Sequence, residues 1–120
     1  MKNTRDVVLE VTKDVLERFT FMFTETEGDT PAFPAGNDPL QATIRFQGKG
    51  SGVLTVVAPR SLCQEMAANV LGMDAAEIGE SAAEDALKEL INIICGTLTW
   101  SLYGDREVFR LSVPSIANLI

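Results

Sequence analysis

At 120 residues and 13.0 kDa, with 46% hydrophobic and 22% charged residues, the chain has the size and balance of one small folded domain, and intrinsic disorder is excluded. Ten basic against 17 acidic side chains give a formal charge of -7, which offers no basic patch to nucleic acid or to an anionic membrane. The absence of histidine removes Ser-His-Asp and Cys-His machinery, along with the commonest general base and metal ligand.

Apolar residues at Val7, Val8, Val11, Val15, Leu16, Phe19 and Phe23 follow the helical period and predict a first helix over Thr4 to Phe23, with Asn3 or Thr4 as its cap. The stretch from Thr24 to Pro39 holds Gly28, Pro31, Pro34, Gly36 and Pro39 and reads as a long loop, with a short acidic run at Glu25, Glu27 and Asp29. The period then changes to two. Ala42, Ile44 and Phe46 alternate with Thr43, Arg45 and Gln47, and after Gly48-Lys49-Gly50 a second run from Gly52 to Ala58 completes a β-hairpin. A phosphate-loop reading of these glycines fails, because no helix starts there and the lysine stands in the wrong order; they serve the turn and a bulge. Pro59 opens a second helix through Leu62, Met66 and Val70 that stops at Gly72. Ser81-Ala82-Ala83-Glu84 matches a capping box. The helix it starts runs to about Tyr103, with Gly104 as the stop, a span of about 22 residues or roughly 33 Å. A last strand over about Glu107 to Val113 ends at Pro114.

Met22, Met66 and Met73 read as core fillers. Cys63 and Cys95 fall in helical segments, are not spaced as a zinc site, and are too few for a disulfide scaffold. The N-terminus carries charges at Lys2, Arg5, Asp6, Glu10, Lys13 and Asp14 and no apolar signal core, so the chain reads as cytoplasmic, with residues 1–120 forming a single domain.

The third helix carries the chemistry. On a wheel of 100° per residue, Ala86, Leu87, Leu90, Ile91, Ile93, Ile94, Leu98 and Leu102 fill one broad sector that must face a core. Asp85, Glu89, Asn92 and Gly96 lie opposite in a stripe about 60° wide, flanked by Lys88, Thr99, Trp100 and Tyr103. A solvated helix face accounts for such a stripe on its own. Two residues in it are poor helix formers: Asn92 gains nothing locally, and Gly96 costs about 1 kcal/mol relative to Ala. Gly96 either lets another backbone approach or serves close helix packing. Trp100 either meets a partner or closes the edge of the core. An asparagine can orient a water but cannot deprotonate it well, and a glutamate can anchor a cationic side chain. The pair suits a reaction whose leaving group and charge stabilisation stand on a partner, such as hydrolysis of an aspartyl phosphate.

Asp85, three residues, Glu89, two residues, Asn92, twenty-one residues, Pro114 matches position for position the signature of the CheC/CheX/FliY chemotaxis phosphatases. Chance gives such a match in about one chain in 10³ of this length. The order helix, loop, hairpin, helix, long helix, strand also resembles this family, and a single motif helix resembles CheX more than CheC. The resemblance implies an α+β fold, a small mainly antiparallel sheet covered on one face by long helices. It implies a protein-aspartate phosphatase acting on a phosphorylated CheY-like response regulator in chemotaxis or related two-component signalling. Asn92 would orient the attacking water and Glu89 would pair with the regulator's lysine, with Asp85 supporting the helix face and Pro114 structural. The chain would need no cofactor of its own, the Mg2+ being the regulator's. The alternative is a non-catalytic module of the same fold that binds a response regulator or a flagellar switch protein. Only three strands are predicted before the apolar tail Ile116-Ala117-Asn118-Leu119-Ile120, and relatives of the CheX type pair through their sheets, so a homodimer with the last strand or tail at the two-fold is expected.

Overall fold

The computed structural model describes residues 3–23, 39–104 and 108–118. Helix α1 spans Thr4–Thr20, and Asn3 caps it by accepting the Asp6 amide proton at 2.9 Å. It stops before Phe23 because Phe21 turns left-handed at φ 59° and its N–H bonds back to the Leu16 carbonyl. The hairpin pairs β1 (Pro39–Gln47) with β2 (Ser51–Pro59), antiparallel, with Ile44 opposite Leu54. Its glycines serve the turn, where the Gly48 N–H donates to the Gly50 carbonyl at 2.9 Å, but not the expected bulge, because the register runs unbroken from Pro39–Pro59 to Gln47–Ser51. A Cβ at Gly48 would stand 2.7 Å from the Val108 carbonyl oxygen, and one at Gly50 would run into the Tyr103 ring.

Helix α2 is Arg60–Leu71, ended by Gly72 at φ 68°. Pro59 is not its first residue; it closes β2 and sits at the N-cap, so strand passes into helix with no loop between. After a 3₁₀ turn at Ala75–Glu77, helix α3 runs Glu80–Tyr103 to a cap at Gly104. The Ser81 capping box is not used. Gly79 is the N-cap, and Glu80, already helical, pairs with Arg60 at the start of α2, placing an acid in the first turn where the helix dipole favours it.

The expected last strand is two short ones, β3 (Arg110–Leu111) and β4 (Ser115–Asn118), both antiparallel to β1, which makes four strands where three were expected. The Ser112 N–H donates to the Arg45 carbonyl and the Arg45 N–H donates to Ser112 Oγ, each at 2.9 Å. Between that position and the Thr43–Ser115 pair, β1 has only Ile44 where the opposing chain has Val113 and Pro114. This is a bulge, and Pro114, with no N–H to leave unpaired, suits it. Pro114 therefore precedes a strand instead of ending one.

The architecture is the α+β arrangement expected, with helices on one face of an antiparallel sheet. Leu40, Ala42 and Ile44 point inward from β1 and share one core with Val11 and Val15 of α1, Cys63 and Met66 of α2, and Leu87, Ile91 and Ile94 of α3. Met22 packs at the edge of this core, but Met73 is 44% exposed because it follows the Gly72 cap and lies outside the helix. Cys63 and Cys95 are buried free thiols; burial pushes Cys63 up to about 11 and raises Cys95 in the same direction. No helix among the described residues is long and apolar enough to cross a membrane. The expected loop and its acidic run at Glu25, Glu27 and Asp29, the strand start at Glu107, and the tail residues Leu119 and Ile120 lie outside the described residues.

Candidate functional site

Helix α3 packs against β1 and against both other helices, and this fixes its rotation about its own axis. Leu87, Leu90, Ile91, Ile94 and Leu98 all turn inward, each at most 4% exposed. At 100° per residue, burying that sector turns Asp85, Glu89 and Asn92 outward, and all three are exposed. Glu89 and Asn92 are neighbours across one turn, separated by about 4.5 Å along the axis. Neither side chain has a hydrogen bond or ion pair among the described residues. The N-terminal half of α3 carries Glu80, Glu84, Asp85 and Glu89 against Lys88 alone, so this end of the stripe attracts a cation.

Two hollows flank the stripe. One, of about 340 Å³, lies beside Asp85 and Glu89 and is lined by Phe19 of α1, Ala67, Val70 and Leu71 of α2, and Ala82 and Ala86 of α3. Val70 and Leu71 are 42% and 56% exposed there. Sequence reasoning missed this hollow, having read Val70 only as one of the residues along the second helix. The signal was present: two adjacent apolar residues at a helix end stand 100° apart and cannot both face a narrow core.

The other hollow, of about 240 Å³, follows Asn92 along the helix and is lined by Gly96, Thr99, Trp100, Gly104, Phe109 and Leu111. A methyl group added at Gly96 would meet nothing within 4 Å among the described residues, so the close packing considered for this glycine is not found there. Thr99 is buried, and its hydroxyl donates to the Gly96 carbonyl at 3.0 Å, one turn back on its own helix. Trp100 is 60% exposed and does not close the core. Tyr103 leans on Phe109, with ring centroids 4.9 Å apart. The fold thus brings Asp85, Glu89, Asn92 and Gly96 onto one face and sets Pro114 apart, in the bulge between β3 and β4.

The chemistry available on this face is limited and specific. It presents an amide able to orient a water, a carboxylate able to hold a cation, and no histidine. Among the described residues no three His, Cys, Asp or Glu side chains gather where they could hold a metal ion.

The family model for the chemotaxis phosphatase CheX matches residues 40–118, about two thirds of the chain. A search of curated proteins finds no significant match. Among solved structures, a chemotaxis protein CheX from Desulfovibrio desulfuricans is similar with a TM-score of 0.73 and 18% identity, over 96% of this chain and 77% of that one. A CheC-like superfamily protein from a Shewanella species gives 0.74 and 19%, over 98% and 78%. The CheX–CheY–BeF3–Mg2+ complex from Borrelia burgdorferi gives 0.70 and 16%, over 95% and 75%. At these identities the likeness establishes the fold.

Proposed function

Because the chain belongs to the CheX family of chemotaxis phosphatases, we propose that it removes the phosphoryl group from a phosphorylated CheY-like response regulator. The observation that carries this reading is the joint exposure of Glu89 and Asn92 on one face of α3, with neither side chain bonded within the described chain. Such a face is free to enter a partner's pocket. The CheX–CheY complex among the similar structures supports a regulator as that partner.

In this reading Glu89 accepts a hydrogen bond from the regulator's lysine ammonium and draws the two surfaces into register. Asn92 orients a water in line with the phosphorus. The water oxygen bonds to phosphorus, the bond from phosphorus to the regulator's aspartate oxygen breaks, and free aspartate and inorganic phosphate result. Positioning is the main contribution a protein can make to such a transfer, so an amide without a base suffices. The Mg2+ belongs to the regulator, where it supplies charge neutralisation at the phosphoryl oxygens. Asp85 keeps this end of the face acidic. Two copies would pair through the outer edge of the sheet, where the backbone of β3 and β4 faces away from β1.

The test is the decay of a phosphorylated CheY-like regulator with and without this protein. Faster decay, lost in Glu89→Gln and Asn92→Ala, is expected. Binding without faster decay would identify the face as a docking module and refute the phosphatase reading.

A further inference from the structure

Gly96 has no role that the described residues explain. It lies inside a helix, outside any turn, where glycine is among the least favourable residues. Among the described residues an added methyl group would touch nothing within 4 Å, so no described neighbour needs the space. The vacancy opens on the same face as Asn92, about 6 Å further along the axis. Any body that receives Asn92 in a pocket must therefore pass over Gly96.

The surface around it has a definite chemistry. From Ile91 to Tyr103 the helix carries no charged residue, in contrast to its acidic first half. Trp100, one turn beyond Gly96, is 60% exposed, and Leu111, which lines the same hollow, is 37% exposed. Tryptophan is among the residues most enriched at the energetic centres of protein interfaces. A second copy of this chain is a poorer occupant, because two α3 helices crossing antiparallel over this hollow would set Glu89 of each against the uncharged far end of the other and supply it no cation.

We propose that the hollow over Gly96, gripped by Trp100, is where the phosphorylated regulator seats an uncharged stretch of chain at the rim of its phosphorylation pocket. The proposal rests on the reading of Glu89 and Asn92 given above. The regulator then meets α3 at two places of opposite character: a cation against Glu89, and an apolar rim segment against Gly96 and Trp100. Gly96 and Trp100 are positioning residues, which set how the regulator sits over Asn92 without touching the phosphoryl group.

The experiment compares Gly96→Ala, Gly96→Leu, Trp100→Ala and Asn92→Ala with the parent protein. The regulator is used phosphorylated for rates, and with beryllofluoride and Mg2+ for binding. Gly96→Ala should melt about 3–5 °C higher, since it gains helix propensity and meets no clash. Gly96→Leu and Trp100→Ala should raise KM and weaken binding about tenfold or more, while kcat at saturation stays within about twofold. Trp100 is the chain's single tryptophan. Its emission should move to shorter wavelength, and acrylamide should quench it less, when a tryptophan-free variant of the activated regulator is added. Parent affinity in Gly96→Leu and Trp100→Ala, with Asn92→Ala inactive, overturns this inference and leaves the phosphatase reading standing. An Asn92→Ala variant as fast as the parent overturns both. A change in sedimentation mass on Gly96→Leu identifies a second copy as the occupant and also overturns it. Should Gly96→Leu fail to fold, Trp100→Ala and the tryptophan emission decide the question alone.

Discussion

Asn92→Ala should move stability and activity in opposite directions. The Asn92 side chain is exposed and has no partner among the described residues, so truncating it removes no contact. It exchanges a poor helix former for the best one, a gain of about 0.5 kcal/mol. On a domain of this size that is a rise of about 2 °C in melting temperature. Loss of a group that orients the attacking water should meanwhile cost about 10²-fold or more in rate, equivalent to about 2.7 kcal/mol of transition-state stabilisation. The assay pairs a thermal melt followed by circular dichroism with decay of the phosphorylated regulator at several concentrations. The loss should fall on kcat, with KM within about twofold, because Glu89 and the rest of the face still hold the partner. A rate equal to that of the parent protein would refute the role given to Asn92. A joint fall of rate and melting temperature would refute the premise that this side chain holds nothing in the fold.

Three further outcomes test the surrounding structure. Leu87 is 0% exposed on the opposite face of α3, so Leu87→Ala should cost about 2–5 kcal/mol, read as a lower urea midpoint; an unchanged midpoint contradicts the rotation assigned to the helix. Gly48→Ala should destabilise by about 1–3 kcal/mol, because its Cβ would stand 2.7 Å from a backbone oxygen and 2.8 Å from the Phe109 ring; a melt as high as the parent's would show that Val108 and Phe109 are not seated on the hairpin turn. Burial holds the Cys63 thiol neutral up to about 11, against an ordinary value of 9.0, so the unfolded chain ionises first as pH rises. The stability this thiol contributes is complete below pH 9 and is lost between about pH 9 and 11, a decline that should be shallower in Cys63→Ala; equal slopes for the two proteins would contradict it.

The faces of α3 were legible because they depend on local geometry alone. A period near 3.6, kept over Leu87, Leu90, Ile91, Ile94 and Leu98, leaves one way to rotate the helix over a core, and Asp85, Glu89 and Asn92 are then outside whatever the rest of the chain does. The hairpin was legible for the same reason, with alternation on either side of a glycine turn. The start of α3 was misread at Ser81 because a capping box is a four-residue pattern, and a contact distant in sequence, Glu80 with Arg60, accompanies a start two residues earlier. Met73 was misread although the stop at Gly72 was legible, because residue type alone does not tell whether a side chain just past a helix end turns inward.

The amino-acid sequence by itself determined which residues of the long helix face outward, since side-chain direction in a helix follows from residue number. Only the tertiary structure decided what stands next to them. β3 and β4 have two and four residues, too few to carry a period, and their place on β1 comes from non-local pairing across the Val113–Pro114 bulge. That pairing brings Leu111 and Phe109 beside Trp100 and leaves Gly96 open. Hydrophobic periodicity is a property of one segment, while a hollow is a property of segments that meet.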